Sequence, residues 1–189
     1  MDTITALIDQ SCRRFSTRDA LLHKFGGIWQ ATSYGKLGGI SGRIAAGMEH
    51  NGFQPGSHAV LLAPSSPEWV MAYLGILKAG GVVIPVDREL KEIELHHILG
   101  HCEAEVIFCD EDRLGALLAM LEKLPALRLI VTLDSPTVQS DRVLPAGASR
   151  YRIVPLDGLL HETEITPLVR RSGDTAIILY TSGTTGRSK

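Results

Sequence analysis

His58–Ala63, Val82–Pro85, residues 105–109 and Arg128–Leu133 are short apolar runs with no polar alternation, and a helical pattern separates each from the next. A strand that is apolar on both sides must be covered on both faces, which a parallel sheet between two helical layers achieves. Between the runs, Val70, Tyr73, Leu74 and Leu77 recur at helical spacing, as do Leu114, Leu117, Leu118, Leu121 and Leu124. A third helix is expected near 90–102. The expected fold is therefore α/β, a mostly parallel sheet with helices on both faces.

The flanking segments extend this pattern. Ile4, Leu7, Ile8, Cys12 and Phe15 form one stripe of a helix over 3–15. Residues 20–25 and 28–32 flank Gly26-Gly27 and read as a hairpin. Ser33 caps a helix with the stripe Leu37, Ile40, Ile44 and Met48, which stops at Asn51-Gly52. Gly35, Gly38, Gly39 and Gly42 weaken that helix, so it must depend on tertiary packing. Ser66 and Pro67 are a cap and a first-turn proline. Residues 134–150 are rich in Ser, Pro, Gly and Asp and read as an exposed loop, with a short strand at Tyr151–Val154. Pro167–Asp174 connects to a last strand, Ala176–Leu179, expected to be buried. With no internal repeat and no linker, residues 1–189 read as a single unit.

Composition narrows the function. The net charge is −2, from 19 basic and 21 acidic residues, and no long block of one sign occurs, so nothing favours nucleic acid or an anionic membrane. Cys12, Cys102 and Cys109 form no C-x-x-C pair, which fits a reducing cytoplasm and a cytoplasmic location. No apolar run approaches the length of a transmembrane segment.

The chemistry is concentrated after the last expected strand, in Tyr180-Thr181-Ser182-Gly183-Thr184-Thr185-Gly186-Arg187-Ser188-Lys189. Two glycines allow close approach of backbone amides to a ligand, and hydroxyls and an ammonium surround them, which is equipment for holding a polyphosphate. The common P-loop is excluded, because the residue five after Gly183 is Ser188 and not a glycine preceding lysine. The string resembles the phosphate-binding loop of the adenylate-forming (AMP-binding) superfamily, which comprises acyl-CoA ligases, adenylation domains and luciferases. That pattern is Y-T-S-G-T-T-G-x-P-K-G; the chain matches through Gly186 and at Lys189, and departs at Ser188, where the usual proline would stiffen the loop. Three further segments are similar in order and spacing: Thr32–Leu37, Pro64–Trp69 (compare N-S-P-E-W of acyl-CoA ligases) and Leu77–Asp87 (compare L-K-A-G-x-x-x-x-P-L-D).

The resemblance implies ATP-dependent activation of a carboxylate as acyl-adenylate, then transfer to the CoA thiol, as in a long-chain fatty acid–CoA ligase. It implies that Thr181, Ser182, Gly183, Thr184, Thr185, Gly186 and Lys189 bind the phosphates of ATP with Mg²⁺, and it assigns no catalytic residue within the chain. The partners are then a small-molecule carboxylic acid, ATP and CoA, with homo-oligomerisation left open. The later family motifs have no match, so residues 1–189 are expected to be a partial N-terminal domain ending at the phosphate loop, inactive alone. Two alternatives stand beside this: an amino-acid adenylation domain of a peptide synthetase, and a non-catalytic nucleotide- or partner-binding module.

Other residues have structural explanations. Tyr34, Trp69 and the Leu77–Pro85 segment are expected to pack helices against strands. Glu94, His97 and His101 share a helix face, but Leu95, Ile98, Leu99 and Cys102 form the apolar stripe opposite, which leaves the histidines facing water. Cys102 and Cys109 are expected to be small buried apolar groups.

Overall fold

The computed structural model describes residues 3–134, 151–161 and 170–181. Helix α1 (Ile4–Arg14) starts where the Thr3 side chain accepts a hydrogen bond from the Ala6 amide. Strands β1 (Asp19–Phe25) and β2 (Ile28–Ser33) form an antiparallel hairpin. Gly26 and Gly27 make its turn at φ +56° and +85°, a backbone whose twist matches that of the strands. Helix α2 (Tyr34–His50) follows at once, with Ser33 Oγ accepting from the Lys36 amide.

The alternating part begins with β3 (His58–Leu62) and α3 (Pro67–Lys78). Ser66 Oγ accepts from the Trp69 amide and Pro67 occupies the first turn, so the expected cap is the observed one. Then come β4 (Val82–Pro85), α4 (Glu92–His101), β5 (Val106–Cys109) and α5 (Glu111–Met120), which tightens into a 3₁₀ turn over Leu121–Lys123. The sequence closes with β6 (Leu129–Thr132), β7 (Arg152–Pro155) and the single turn α6 (Leu156–Leu159).

Strands β3 to β7 form one five-stranded sheet in the order β4-β3-β5-β6-β7, parallel throughout. Register explains why the strands are apolar on both sides. Ala59, Val83, Val106 and Leu129 align and face a cluster with Ile44, Met48, Met71 and Ile76 of α2 and α3. Val60, Ile84, Ile107 and Ile130 align on the other face, against Leu95, Ile98, Leu114 and Leu117 of α4 and α5. The α/β architecture expected from the sequence is the one observed. On the first face, Lys78 Nζ lies 2.7 Å from Asp9 and donates to the Gly38 carbonyl at 3.1 Å, which ties α1, α2 and α3 together.

The structure corrects the sequence reading at the last strand. Ala176–Leu179 is not buried; it meets β4 through an isolated parallel bridge between Val83 and Ile177. Ile177 and Leu179 are exposed while Ala176, Ile178 and Tyr180 are half-buried; Ala176 packs against the cluster beneath α2 and α3, and Ile178 and Tyr180 against the one beneath α4 and α5. The short strand expected at Tyr151–Val154 is displaced by one residue to Arg152–Pro155, and α6 was not anticipated. Residues 135–150 of the expected loop and 167–169 of the expected connector lie outside the described residues. Among the described residues no helix is long and apolar enough to cross a membrane.

Candidate functional site

Parallel strands bring their carboxyl ends to one edge of the sheet, where open α/β sheets place ligands. At this edge stand Ala63 to Ser66 after β3, Val86 to Arg88 after β4, Asp110 after β5 and Leu133-Asp134 after β6. The β1–β2 hairpin faces them across a cleft of about 500 Å³ lined in part by His23, Lys36, Ser66, Glu68, Asp110 and Asp134.

Arg88 and Asp110 form an ion pair at this edge. Arg88 Nη2 lies 3.2 Å from Asp110 Oδ2, and the Arg113 guanidinium donates to the Arg88 carbonyl. Asp110 is only 3% exposed. Burial raises its carboxyl above the usual carboxylate range, and the Arg88 charge offsets part of that rise. Asp110 Oδ1 has no hydrogen-bond partner among the described residues. Although Asp110 occupies the cap position of α5, its side chain does not cap; Asp134 Oδ1 accepts from the Glu111 amide at 2.8 Å instead.

The segment leading to the expected phosphate loop lies along the free edge of β4. The Val83 amide donates to the Ala176 carbonyl and the Ile178 amide donates to the Val83 carbonyl, both at 3.0 Å. The bridge is parallel, so the segment runs in the direction of β4, toward the carboxyl edge. The Tyr180 hydroxyl shares a 2.7 Å hydrogen bond with His101 Nδ1, and the rings meet edge to face at 5.9 Å. Burial, with a smaller contribution from Cys102, raises the Tyr180 phenol above its ordinary value. Thr181, the first of the expected phosphate-binding residues, follows Tyr180 and is exposed. Ser182, Gly183, Thr184, Thr185, Gly186 and Lys189 lie outside the described residues.

The remaining candidates have local roles. Glu94, grouped with the histidines by spacing, accepts from the Lys91 amide at 3.2 Å and so serves the start of α4. His97 and His101 are exposed, opposite the buried Leu95, Ile98, Leu99 and Cys102. Burial pushes the Cys102 thiol up, the reverse of what a nucleophile requires. Trp69 stacks on Tyr73 of its own helix at 5.5 Å and Tyr34 packs near Phe15 at the end of α1 at 6.1 Å, ring contacts within and between helices where helix-to-strand packing was expected.

Two contacts escaped the sequence reading. The Arg88–Asp110 pair had a signal, a charged residue at or near the end of each of two apolar runs. The His101–Tyr180 bond had none, since its partners are 79 positions apart.

The sequence matches the family model of the AMP-binding enzymes over residues 8–189. It is similar to the peroxisomal long chain acyl-CoA synthetase 6 of Arabidopsis thaliana, 28% identical over 166 residues, with 86% of this chain and 23% of that protein covered. It is also similar to tyrocidine synthase 3 of Brevibacillus parabrevis, 29% identical over 160 residues, with 85% of this chain and 2% of that protein covered. The chain thus spans less than a quarter of the length of either relative. The fold matches that of the anthranilate CoA ligase AuaEII, solved with anthranoyl-AMP, at a TM-score of 0.82 and 19% identity, covering 97% of this chain and 33% of that one.

Proposed function

The chain belongs to the AMP-binding enzyme family, and on that premise we propose that residues 181–189 hold the phosphate chain of ATP during activation of a carboxylate. The observation that carries this reading is the family match itself, which runs through the Thr-Ser-Gly-Thr-Thr-Gly segment to Lys189. The parallel approach of residues 176–178 along β4 supports it, because that direction leads to the ligand-binding edge of an α/β sheet.

In the reaction, a carboxylate oxygen attacks the α-phosphorus of ATP, the bond to the bridging oxygen breaks, and pyrophosphate leaves. The demand on the protein is to hold a highly charged leaving group in line. Amides around Gly183 and Gly186 and the hydroxyls of Thr181, Ser182, Thr184 and Thr185 supply donors, and the Lys189 ammonium neutralises charge. Each well-aimed donor contributes on the order of 3 kcal/mol. Mg²⁺ enters as the counter-ion of the substrate ATP. Among the described residues no group of three or more His, Cys, Asp or Glu side chains is placed to hold a metal.

The proposed acceptor of the acyl group is the CoA thiol and the proposed acid is a long-chain fatty acid. Similarity to the Arabidopsis synthetase and the Pro67-Glu68-Trp69 and Leu77–Gly81 segments favour this. Similarity to tyrocidine synthase 3 favours a second reading, adenylation of an amino acid. Exchange of labelled pyrophosphate into ATP by the gene product carrying these residues separates them. Exchange dependent on a fatty acid supports the first reading, and dependence on an amino acid the second. ATP binding without exchange for any acid would point to a non-catalytic module.

A further inference from the structure

We propose that His101 is a positioning residue for the nucleotide site: through the Tyr180 hydroxyl it fixes the end of the segment from which residues 181–189 depart. The inference rests on the phosphate-binding reading above and adds a residue that reading did not contain.

The need for such an anchor follows from how weakly the segment joins the sheet. Strands β3, β5 and β6 are each held in register with neighbours on both sides. Among the described residues the backbone of 176–178 pairs only with β4, through two hydrogen bonds about Val83. Ile177 and Leu179 are exposed and Ala176 and Ile178 only half-buried, so burial restrains the segment weakly. Ala176 packs against the cluster beneath α2 and α3, and Ile178 and Tyr180 against the cluster beneath α4 and α5. Beyond Ile178 the strongest directed contact described is the Tyr180 hydroxyl on His101 Nδ1, at 2.7 Å. His101 is well suited to receive it. It is the last residue of α4, its ring lies 6.2 Å from that of His97, and Cys102 beside it is buried. Tyr180 immediately precedes the first proposed phosphate ligand, Thr181. A segment already fixed at Tyr180 has less freedom to lose on binding ATP, so the bond raises affinity without touching the nucleotide.

The test is titration of the gene product carrying these residues with Mg·ATP, alongside thermal melting. His101→Ala and Tyr180→Phe should each weaken ATP binding about 3- to 10-fold, the range of one hydrogen bond. The double variant should be no weaker than either single one. His101→Asn, whose amide offers both a donor and an acceptor to the Tyr180 hydroxyl, should restore affinity, and the melting temperature should stay unchanged in all four. Additive losses, or a fall in melting temperature that tracks the loss of affinity, would overturn the proposal by making the pair merely structural. So would undiminished binding by His101→Ala where Thr184→Ala does weaken it. If Thr184→Ala and Lys189→Ala also bind ATP like the parent, the phosphate-binding reading fails and this inference goes with it.

Discussion

The Arg88 guanidinium lies 3.2 Å from the Asp110 carboxylate and so bridges the carboxyl end of β3, the strand that separates β4 from β5. The pair joins two loops of the ligand-binding edge that share no backbone hydrogen-bond ladder. Asp110 is covered from solvent while Arg88 is one-third exposed, so the two partners are unequal: the carboxylate depends on the guanidinium more than the reverse.

Arg88→Ala should therefore destabilise the chain by about 1–3 kcal/mol, because it leaves a buried carboxylate without its charge partner. Urea unfolding of the single variant and of Arg88→Ala with Asp110→Asn checks this. The second substitution should recover most of the loss, since the neutral amide is less costly to bury.

Asp110 also predicts a pH dependence. Its carboxyl titrates higher in the folded chain than in the unfolded one, with burial as the main cause. The folded state then binds the proton more tightly, so the contribution of Asp110 to stability is most favourable in acid. It declines as pH rises from the ordinary aspartate value through the raised one. Denaturation midpoints measured across that window should fall with pH for this group. Subtracting the Asp110→Asn profile from the parent profile should isolate the decline, and a difference that is flat or rises with pH would contradict the assignment.

Helices α2 and α3 meet at Gly75, where an added Cβ would come within 2.5 Å of Ile44 Cγ2, and Ile44 is fully buried. Gly75→Ala should destabilise by about 1–3 kcal/mol through overpacking. At Gly42 of α2 an added Cβ meets nothing within 4 Å. Gly42→Ala should stabilise by about 0.5–1 kcal/mol, the helix-propensity gain alone. Thermal melting of the two variants should move in opposite directions.

These helices and strands show what could be read in advance. Strands β3 to β6 were legible because both of their faces are buried, which leaves a run such as Val106–Cys109 apolar at every position. The caps at Ser33 and Ser66 were legible because a cap is a local bond spanning three residues. Ala176–Leu179 has the same apolar composition as the buried strands, yet composition does not reveal how many neighbours a strand acquires, and Ile177 and Leu179 remain exposed. The four residues of α6 are too few to show a helical period. At the site, residue types and spacing single out the segment proposed to bind phosphate. The anchor at His101 required the fold, because only the order of α4 and β4 in space brings it to Tyr180.

The most direct measurement of phosphate binding by residues 181–189 is equilibrium dialysis of labelled Mg·ATP against the parent chain, Thr184→Ala and Lys189→Ala. Removal of the Lys189 ammonium should weaken binding about 10- to 100-fold, the range for a hydrogen bond to a charged group, and Thr184→Ala should weaken it less. Equal retention of ATP by all three chains would contradict a phosphate site in this segment.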